Sequence, residues 1–114
     1  MNTCLFCKIE KGEIPSNKIY EDEDIIVFKD IAPKADVHLL VVPRNHIVGL
    51  NDLLPEDQAL MGKMMLLLPK LAMEQGLENG FRTIINTGKG GGQEVFHLHI
   101  HLLGNTTSKA LPFV

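Results

Sequence analysis

The stretch that most constrains the fold is QEVFHLHIHLLG, in which histidine and aliphatic residues alternate near the end of the chain. His97, His99 and His101 occupy every second position, and aliphatic residues separate them. Because side chains two residues apart share one face of a β-strand, the pattern predicts a strand with three imidazoles on one face. We expect the aliphatic face to join the core and the histidine face to form a site.

Other periodic segments complete the predicted fold. The five predicted strands are Lys18 to Glu21, Asp24 to Lys29, His38 to Arg44, Phe81 to Asn86 and Val95 to Leu103. Apolar residues at three- and four-residue steps predict a helix from Pro55 to Gln75, which Pro69 should kink and Gly76 should end. A shorter helix is expected from Leu5 to Lys11. Because strands do not alternate regularly with helices, the predicted class is α+β, a five-stranded antiparallel sheet with one long and one short helix.

Length and composition set the broad class of protein. The 114 residues indicate a single domain, 1–114, with an N-terminal arm at 1–12 and a short C-terminal tail at 105–114. The sequence shows no apolar run long enough to span a membrane and no basic leader, so we expect a cytoplasmic protein without membrane association. The formal charge of −3 argues against a nucleic-acid partner, because phosphate backbones attract basic surfaces. Exposed edges on so small a sheet make a homodimer the expected assembly.

The histidine face permits two kinds of chemistry. Three histidines can hold a catalytic zinc ion with an open position for water. Alternatively, one imidazole is a nucleophile and its neighbours supply protons and hydrogen bonds. The spacing of the three residues does not decide between these alternatives.

Weaker signals accompany the histidines. The glycine-rich loop from Asn86 to Gln93 could offer backbone amides to an anion, or serve only as a flexible connection. Asp30 ends a predicted strand, where it could form a turn or accept hydrogen bonds from ribose hydroxyls. Cys4 and Cys7 supply half of a zinc site, or pack as small apolar residues, and two cysteines provide no disulfide framework.

Together these residues resemble the histidine triad nucleotide-binding family. The most specific element is His-φ-His-φ-His-φ-φ, where φ is apolar, and it is matched from His97 to Leu103. The other matching segments are Asp30-Ile31, His38 to Pro43, Asn86 and Gly91-Gly92-Gln93. The resemblance runs from about Cys4 to Gly104, and CLFCKIEKGEIPS and GGQEVFH are similar to the branch of purine nucleoside phosphoramidate hydrolases.

The resemblance implies a homodimer that binds a purine nucleotide, such as AMP, GMP or their phosphoramidates, and hydrolyses a P–N bond without a catalytic cofactor. It makes His99 the nucleophile of a nucleotidyl-histidine intermediate. His101 would contact the phosphate and assist the leaving group, with His38 in the same relay, and His97 would support the site. The implied nucleotide-binding residues are Phe28, Asp30, Ile31, Leu40, Asn86, Gly92, Gln93, Glu94 and Val95.

The resemblance also implies a structural zinc ion. Zinc-bearing relatives use a CxxC pair, a histidine after the third strand and the first histidine of the triad. The corresponding residues here are Cys4, Cys7, His46 and His97.

Two departures from the family pattern concern the leaving-group side of the site. Glu94 stands where some members carry a serine that touches the substrate phosphate, and the C-terminal tail lacks the tryptophan of some relatives. Three alternatives to a phosphoramidate hydrolase stay open. They are a dinucleoside polyphosphate hydrolase, a nucleotide-binding adaptor or regulator, and a hydrolase centred on a catalytic metal.

Overall fold

The computed structural model describes residues 3–107 and 109–112, so predictions for Met1, Asn2, Ser108, Phe113 and Val114 in the arm and tail lie outside the described residues. The strands are β1 (Lys18–Glu21), β2 (Ile25–Lys29), β3 (Val37–Pro43), β4 (Arg82–Ile84) and β5 (Ile100–Gly104). Within the described residues they form one sheet in the order β1-β2-β3-β5-β4, and each neighbouring pair is antiparallel. The helices are α1 (Leu5–Glu10) and α2 (Gln58–Glu74). The predicted α+β class is therefore confirmed.

Strand β3 lies in the middle of the sheet, and all seven of its residues are buried. Because successive side chains point to opposite faces, β3 contributes to two hydrophobic clusters. Leu39 and Val41 pack with residues of α2, whereas Leu40 and Val42 pack with residues of α1. His38 is two residues from Leu40, so it lies on the α1 face of the sheet.

Strand β5 shows the alternation that the sequence predicted. Ile100 and Leu102 are fully buried in the cluster that contains α2. His101, between them, points to the α1 face, where it meets the ring of His38. The aliphatic side of this strand is core, and the histidine side is shared with α1.

The predicted start of β5 at Val95 is wrong, because the strand begins at Ile100. The backbone N–H of Leu98 donates to the carbonyl of Ile47 at 2.6 Å instead of pairing with β3. Pro43, at the end of β3, has no N–H to offer to an extended ladder. His97 and His99 therefore precede the strand, and only His101 of the three lies within it.

Helix α2 covers the other face of the sheet. It follows a single 3-10 turn at Pro55–Asp57, in which the Asp57 carboxylate accepts from the backbone N–H of Leu54 at 2.8 Å. The α-helix continues through Pro69, and Gly76, with φ at +79°, lies just beyond the helix end, as predicted. Within the described ranges, no helix is long and apolar enough to cross a membrane.

Helix α1 carries the cysteine pair onto the sheet. The Cys4 sulfur accepts from the backbone N–H of Cys7 at 3.4 Å and caps the helix N-terminus. Phe6 and Ile9 are buried against the α1 face, and Gly12, with φ at +78°, lies just beyond the helix end. The helix thus brings both sulfurs and an aromatic ring to the histidine side of the sheet.

Asp22 organises the tight turn between β1 and β2. Its Oδ1 accepts from the backbone N–H groups of Asp24 at 2.8 Å and Ile25 at 2.9 Å, and its Oδ2 accepts from the Tyr20 hydroxyl at 2.7 Å. The Lys63 ammonium lies 3.3 Å from the same Oδ2. Burial alone would raise the pKa of Asp22, but these hydrogen bonds outweigh it and lower the pKa to about 2.

We expect Asp22→Asn to lower the free energy of unfolding by about 1–2 kcal/mol at pH 7, because it removes charge-assisted hydrogen bonds in a partly exposed turn. The folded pKa lies below the unfolded value of about 3.9, so this stability is complete above that pH and is lost as the pH falls toward 2. Urea unfolding of the wild type and the variant between pH 7 and pH 2.5 measures both effects. Glu23→Gln is the matched control, since that side chain is 86% exposed. A stability difference independent of pH would contradict the prediction.

Candidate functional site

The histidines of this chain lie in one row on the α1 face of the sheet. In order along the row they are His46, His97, His99, His101 and His38. The ring centroids of His46 and His97 are 4.8 Å apart, and those of His99 and His101 are 4.9 Å apart. The Phe6 ring stands edge-on to both His97 and His99, with centroids 6.0 and 5.0 Å away. One end of the row meets the cysteines and the other meets Asp30.

The cysteine end forms a group of four metal-binding side chains. The Nδ1 atom of His97 lies 3.3 Å from the Cys4 sulfur and 3.4 Å from the Cys7 sulfur, and the Nδ1 atom of His46 lies 3.3 Å from the Cys7 sulfur. In a tetrahedral site with Zn–S near 2.3 Å and Zn–N near 2.0 Å, sulfur and nitrogen are about 3.5 Å apart. The donor set and its spacing therefore fit a zinc ion.

A backbone carbonyl fixes which nitrogen of His97 faces the sulfurs. Nε2 of His97 donates to the Pro43 carbonyl at 2.7 Å, so it carries the proton and Nδ1 carries the lone pair. The side chain is fully buried, and this burial lowers the pKa of His97. A neutral imidazole held in this orientation is what a metal ligand requires.

His99 is also oriented by a backbone carbonyl, but through Nδ1, whereas His97 uses Nε2. Its Nδ1 donates to the carbonyl of His97 at 2.7 Å, which leaves the lone pair on Nε2. Burial lowers the pKa of His99, so the unprotonated form predominates at neutral pH. The result is a neutral, oriented imidazole with one free nucleophilic nitrogen.

The far end of the row is a hydrogen-bonded relay. The backbone N–H of Lys34 donates to Nδ1 of His38 at 3.2 Å, so the His38 proton lies on Nε2. That Nε2 donates to Nδ1 of His101 at 2.9 Å, and the Asp30 carboxylate lies 3.5 Å from it. His101 must then carry its own proton on Nε2, so it presents an N–H donor next to His99.

Burial keeps this relay neutral. Burial lowers the pKa of His38 below its ordinary value, although the Asp30 carboxylate acts in the opposite direction. Burial, followed by the proximity of His99 and His38, lowers the pKa of His101 to about 4. At neutral pH the hydrogen bond of the relay therefore joins two uncharged imidazole rings.

The three alternating histidines do not converge on one point. Among the described residues, the donor atoms of His97 group with Cys4, Cys7 and His46, and those of His101 group with Asp30 and His38, whereas His99 belongs to neither group. The geometry thus gives no support to a catalytic metal held by all three. It favours the alternative in which one imidazole acts on its own.

Apolar side chains lie on the same face of the sheet as this row. Phe28 and Leu40 are buried in the cluster on the α1 face, and Val95 packs against it. Ile31 is fully exposed next to Asp30. Phe28, Ile31 and Leu40 are the residues predicted near the base, and Leu40 is the pairing partner of both Phe28 and His101, so these residues lie close to the acidic end of the row. Val95, predicted at the phosphate end, lines the groove at the cysteine end.

The glycine-rich loop folds on itself. A 3-10 turn at Lys89–Gly91 is closed by Gly92, whose N–H donates to the Lys89 carbonyl at 3.0 Å. Gly92 has φ at +84°, a conformation that a side chain disfavours, so glycine is required there. The predicted role of this N–H as a phosphate donor would need the turn to open. Asn86, also predicted at the phosphate end, is half-buried at the start of this loop.

Gln93, predicted to contact the nucleotide, has its side chain committed to the backbone. Its Oε1 accepts from the Gly88 N–H at 2.8 Å, and its Nε2 donates to the carbonyls of Val48 at 2.6 Å and Val95 at 3.0 Å. Only 5% of the residue is exposed. The Gln93 amide therefore links three segments: the glycine-rich loop, the segment after β3, and the residues just before His97.

We expect Gln93→Leu to lower the free energy of unfolding by about 2–4 kcal/mol, because it leaves buried backbone donors and acceptors unpaired. Gln58→Leu, at an exposed position that begins α2, is the matched control and should change it by less than about 0.5 kcal/mol. Urea denaturation measures both variants. Equal effects of the two substitutions would show that the Gln93 hydrogen bonds contribute nothing.

Glu94 lies on the solvent side of this junction. It is exposed and lines an open groove of about 840 Å³ together with Val95, Cys4 and His46. This groove runs along the cysteine end of the row. Glu94 is thus positioned away from the relay formed by Asp30, His38 and His101.

Some components of the site carried no signal in the sequence. The Pro43 carbonyl and the Lys34 N–H orient His97 and His38, but any residue supplies such backbone groups. Phe6 could have been predicted as part of the site, because it lies between the two cysteines and a large apolar side chain there is expected to be buried beside them. In the structure the Phe6 ring is buried and packs on His97 and His99.

Residues 3–111 match the family model described as scavenger mRNA decapping enzyme C-term binding. Protein HitA of Neisseria gonorrhoeae is 56% identical over 104 residues, which cover 91% of this chain and 97% of that protein. The purine nucleoside phosphoramidase of Escherichia coli strain K12 is 43% identical over 101 residues, which cover 88% of this chain and 85% of that protein. The range matched by the family model includes both ends of the histidine row.

Solved structures show the same likeness in the fold. A HIT family hydrolase from Legionella pneumophila superimposes with a TM-score of 0.87 at 48% identity, covering 90% of this chain and 92% of that one. A zinc-bound histidine triad family protein from Mycobacterium smegmatis has a TM-score of 0.83 at 38% identity, covering 97% of this chain and 81% of that one.

Proposed function

Because this chain belongs to the histidine triad family of hydrolases, we propose that it cleaves the P–N bond of purine nucleoside 5′-phosphoramidates through a nucleotidyl-histidine intermediate. The observation that carries this proposal is the state of His99. Its Nδ1–H is held by a backbone carbonyl, its Nε2 lone pair is free, and it sits beside the N–H donor of His101. An imidazole in this state can attack phosphorus without first losing a proton.

In the first step of the proposed reaction, Nε2 of His99 bonds to the α-phosphorus as the P–N bond breaks. Nε2–H of His101 hydrogen-bonds to the phosphoryl group and passes its proton to the leaving amine, and solvent returns a proton to the relay, so that His101 ends the step neutral. His38 supports the donor, because its own N–H is directed at Nδ1 of His101. Hydrogen bonds to charge that develops in the transition state are an effective form of stabilisation.

In the second step, water displaces the imidazole from phosphorus. The attacking water gives up one proton to solvent, which balances the proton taken up in the first step, and His99 and the nucleoside monophosphate are released. Imidazole is both a good nucleophile and a good leaving group, so one difficult displacement is divided into two easier ones. In this scheme the reacting groups are side chains of the protein itself.

The proposed nucleotide position follows from the surroundings of the row. The Asp30 carboxylate, partly exposed beside the relay, would accept hydrogen bonds from the ribose hydroxyls. Phe28 and Leu40 would line the base, and the exposed Ile31 would close over it, since a ligand there would bury its apolar surface. AMP, GMP and their phosphoramidates are the proposed ligands.

The proposal includes a structural zinc ion at the cysteine end. Cys4, Cys7, His46 and His97 would bind it, and the fit of their donor atoms supports the assignment. When bound there, zinc supplies a cross-link between α1, the segment after β3 and the approach to β5. His97 would contribute to catalysis indirectly, through the carbonyl that orients His99.

We also propose that two copies of the chain pair through β4. Strand β1, at the other edge, is protected by a register shift and by charged residues, including Lys18 and Glu21. Strand β4 has no such irregularity, and the adjacent Phe81 is 42% exposed. Analytical ultracentrifugation should show a dimer for the wild type and dissociation for Phe81→Glu. A monomeric wild type would exclude this assembly.

The activity is tested by comparing hydrolysis of adenosine and guanosine 5′-phosphoramidates with hydrolysis of diadenosine polyphosphates. We expect faster turnover of the phosphoramidates, and no loss of activity per folded molecule after chelation by EDTA. Circular dichroism on the same samples measures the folded fraction.

Each contrary result identifies a different alternative. Preference for the polyphosphate would assign a dinucleoside polyphosphate hydrolase. Nucleotide binding without turnover of either substrate would favour an adaptor or regulator. Loss of activity in chelated protein that stays folded would indicate metal-centred catalysis.

A further inference from the structure

The relay end of the histidine row has the composition of a second metal site. In the described part of the chain, the donor atoms of Asp30, His38 and His101 lie within 4.8 Å of one another. Two imidazoles and one carboxylate are a common ligand set for divalent transition metals. This group is separate from the cysteine cluster and shares none of its residues.

The distances suit a metal ion with little rearrangement. Nε2 of His38 is 2.9 Å from Nδ1 of His101, and Oδ2 of Asp30 is 3.5 Å from Nε2 of His38. Ligands bound at about 2.1 Å to a four- or six-coordinate ion are about 3.0–3.4 Å apart. His38 is buried, whereas Asp30 and His101 are partly exposed, so one side of the group faces the solvent.

We propose that Asp30, His38 and His101 form a second, weaker site for a divalent transition-metal ion such as Zn²⁺, and that an ion bound there blocks nucleotide binding. The lone pair on Nδ1 of His101 already points into the group. Oδ1 of Asp30 accepts from the backbone N–H of Ala32 at 2.8 Å, which fixes the carboxylate and leaves Oδ2 directed at His38.

The hydrogen bonds of His38 explain why this site is the weaker one. Metal binding at Nε2 of His38 requires its proton to move to Nδ1, so the ring stays neutral and no net proton is released. Nδ1 then can no longer accept from the backbone N–H of Lys34, now 3.2 Å away. The ion must offset this lost hydrogen bond, and the site has no thiolate to strengthen binding.

An ion in this position would break the hydrogen bond between His38 and His101. It would also bind the Asp30 carboxylate, which is the proposed contact for the ribose. His101 would lose the N–H of His38 as its partner, and Asp30 would be unavailable to a nucleotide. The expected inhibition rests on the proposed function, whereas binding of the metal rests only on the geometry of the donors. A direct binding measurement therefore tests the site independently of any activity.

The experiment is calorimetric titration of Zn²⁺ into reduced, metal-free protein, followed beyond two equivalents. We expect the wild type to bind a second equivalent at least about 10-fold more weakly than the first, and saturating AMP to suppress only the second. His101→Ala and Asp30→Ala should lose the second equivalent and keep the first. The matched control, Cys4→Ser with Cys7→Ser, should lose the first and keep the second.

Titration with Co²⁺ keeps the test decisive should the cysteine double variant unfold. The first equivalent should show a thiolate-to-cobalt charge-transfer band, and the second should add absorption without increasing that band. A wild type that binds only one equivalent would overturn the proposal, as would a second equivalent that persists in His101→Ala. Inhibition by excess Zn²⁺, reversed by EDTA, is a separate readout. Absence of phosphoramidase activity would leave the calorimetric result intact.

Discussion

Replacing His99 by alanine is expected to reduce hydrolysis of a nucleoside phosphoramidate by at least about 10⁴-fold, since loss of a nucleophile removes the covalent route altogether. The fold should survive, because the ring lies beside the core and, among the residues that the structure describes, makes one hydrogen bond, to the His97 carbonyl. AMP should still bind, because the proposed ribose and base contacts are elsewhere. The measurement is single-turnover kinetics with the wild type and His99→Ala.

His101→Ala serves as the comparison that separates nucleophile from proton donor. It should also slow turnover, but the covalent intermediate can still form on His99, so mass spectrometry of quenched protein should detect a nucleotidyl group. The same group should be undetectable in His99→Ala. Substantial turnover by His99→Ala, or a nucleotidyl adduct in that variant, would show that another residue is the nucleophile.

The second large effect concerns metal binding at the cysteine end. Zinc at about a thousand times its dissociation constant is expected to raise the free energy of unfolding by about 4 kcal/mol, because it binds only the folded arrangement tightly. The four donors come from α1, the segment after β3 and the residues that precede β5. Removing Cys7 should abolish this increment, since its sulfur contacts both ligating histidines.

Urea unfolding in the presence of a thiol reductant, with zinc and with EDTA, measures the increment for the wild type and for Cys7→Ser. Thr3→Ala, an exposed neighbour of the cluster with no metal-binding group, is the matched control and should keep the full effect. An unchanged midpoint on addition of zinc would contradict the prediction. An equal increment in Cys7→Ser would place the metal elsewhere.

The alternation of histidine with aliphatic residues predicted the core face of β5 because burial follows the two-residue period of a strand. Ile100 and Leu102 are completely buried on the α2 side, as that period requires. The bounds of β1 were also predicted correctly, whereas the helix predicted from Pro55 divides into a 3-10 turn and α2. The periodic pattern of apolar residues located these elements. It did not show where each one ends, because the ends depend on local hydrogen bonds.

The directions of the three alternating histidines could not be predicted from the sequence. A regular strand would have aligned all three rings, but the Leu98 N–H pairs with Ile47 and takes the preceding residues out of the ladder. His97 then turns to the cysteines and His101 to the relay. Backbone carbonyls and amides set these orientations, and such groups leave no mark on residue identity.

The donors at the cysteine end also lie far apart along the chain. Cys4 and His97 are separated by 93 positions, yet their side chains are 3.3 Å apart. The entropic cost of closing so long a loop grows only slowly with its length, by about 0.6 kcal/mol for each doubling, but the closure needs the intervening chain to be in place. We therefore expect tight metal capture to be a late event in assembly, one that distinguishes a completed fold from one whose last strand has not docked.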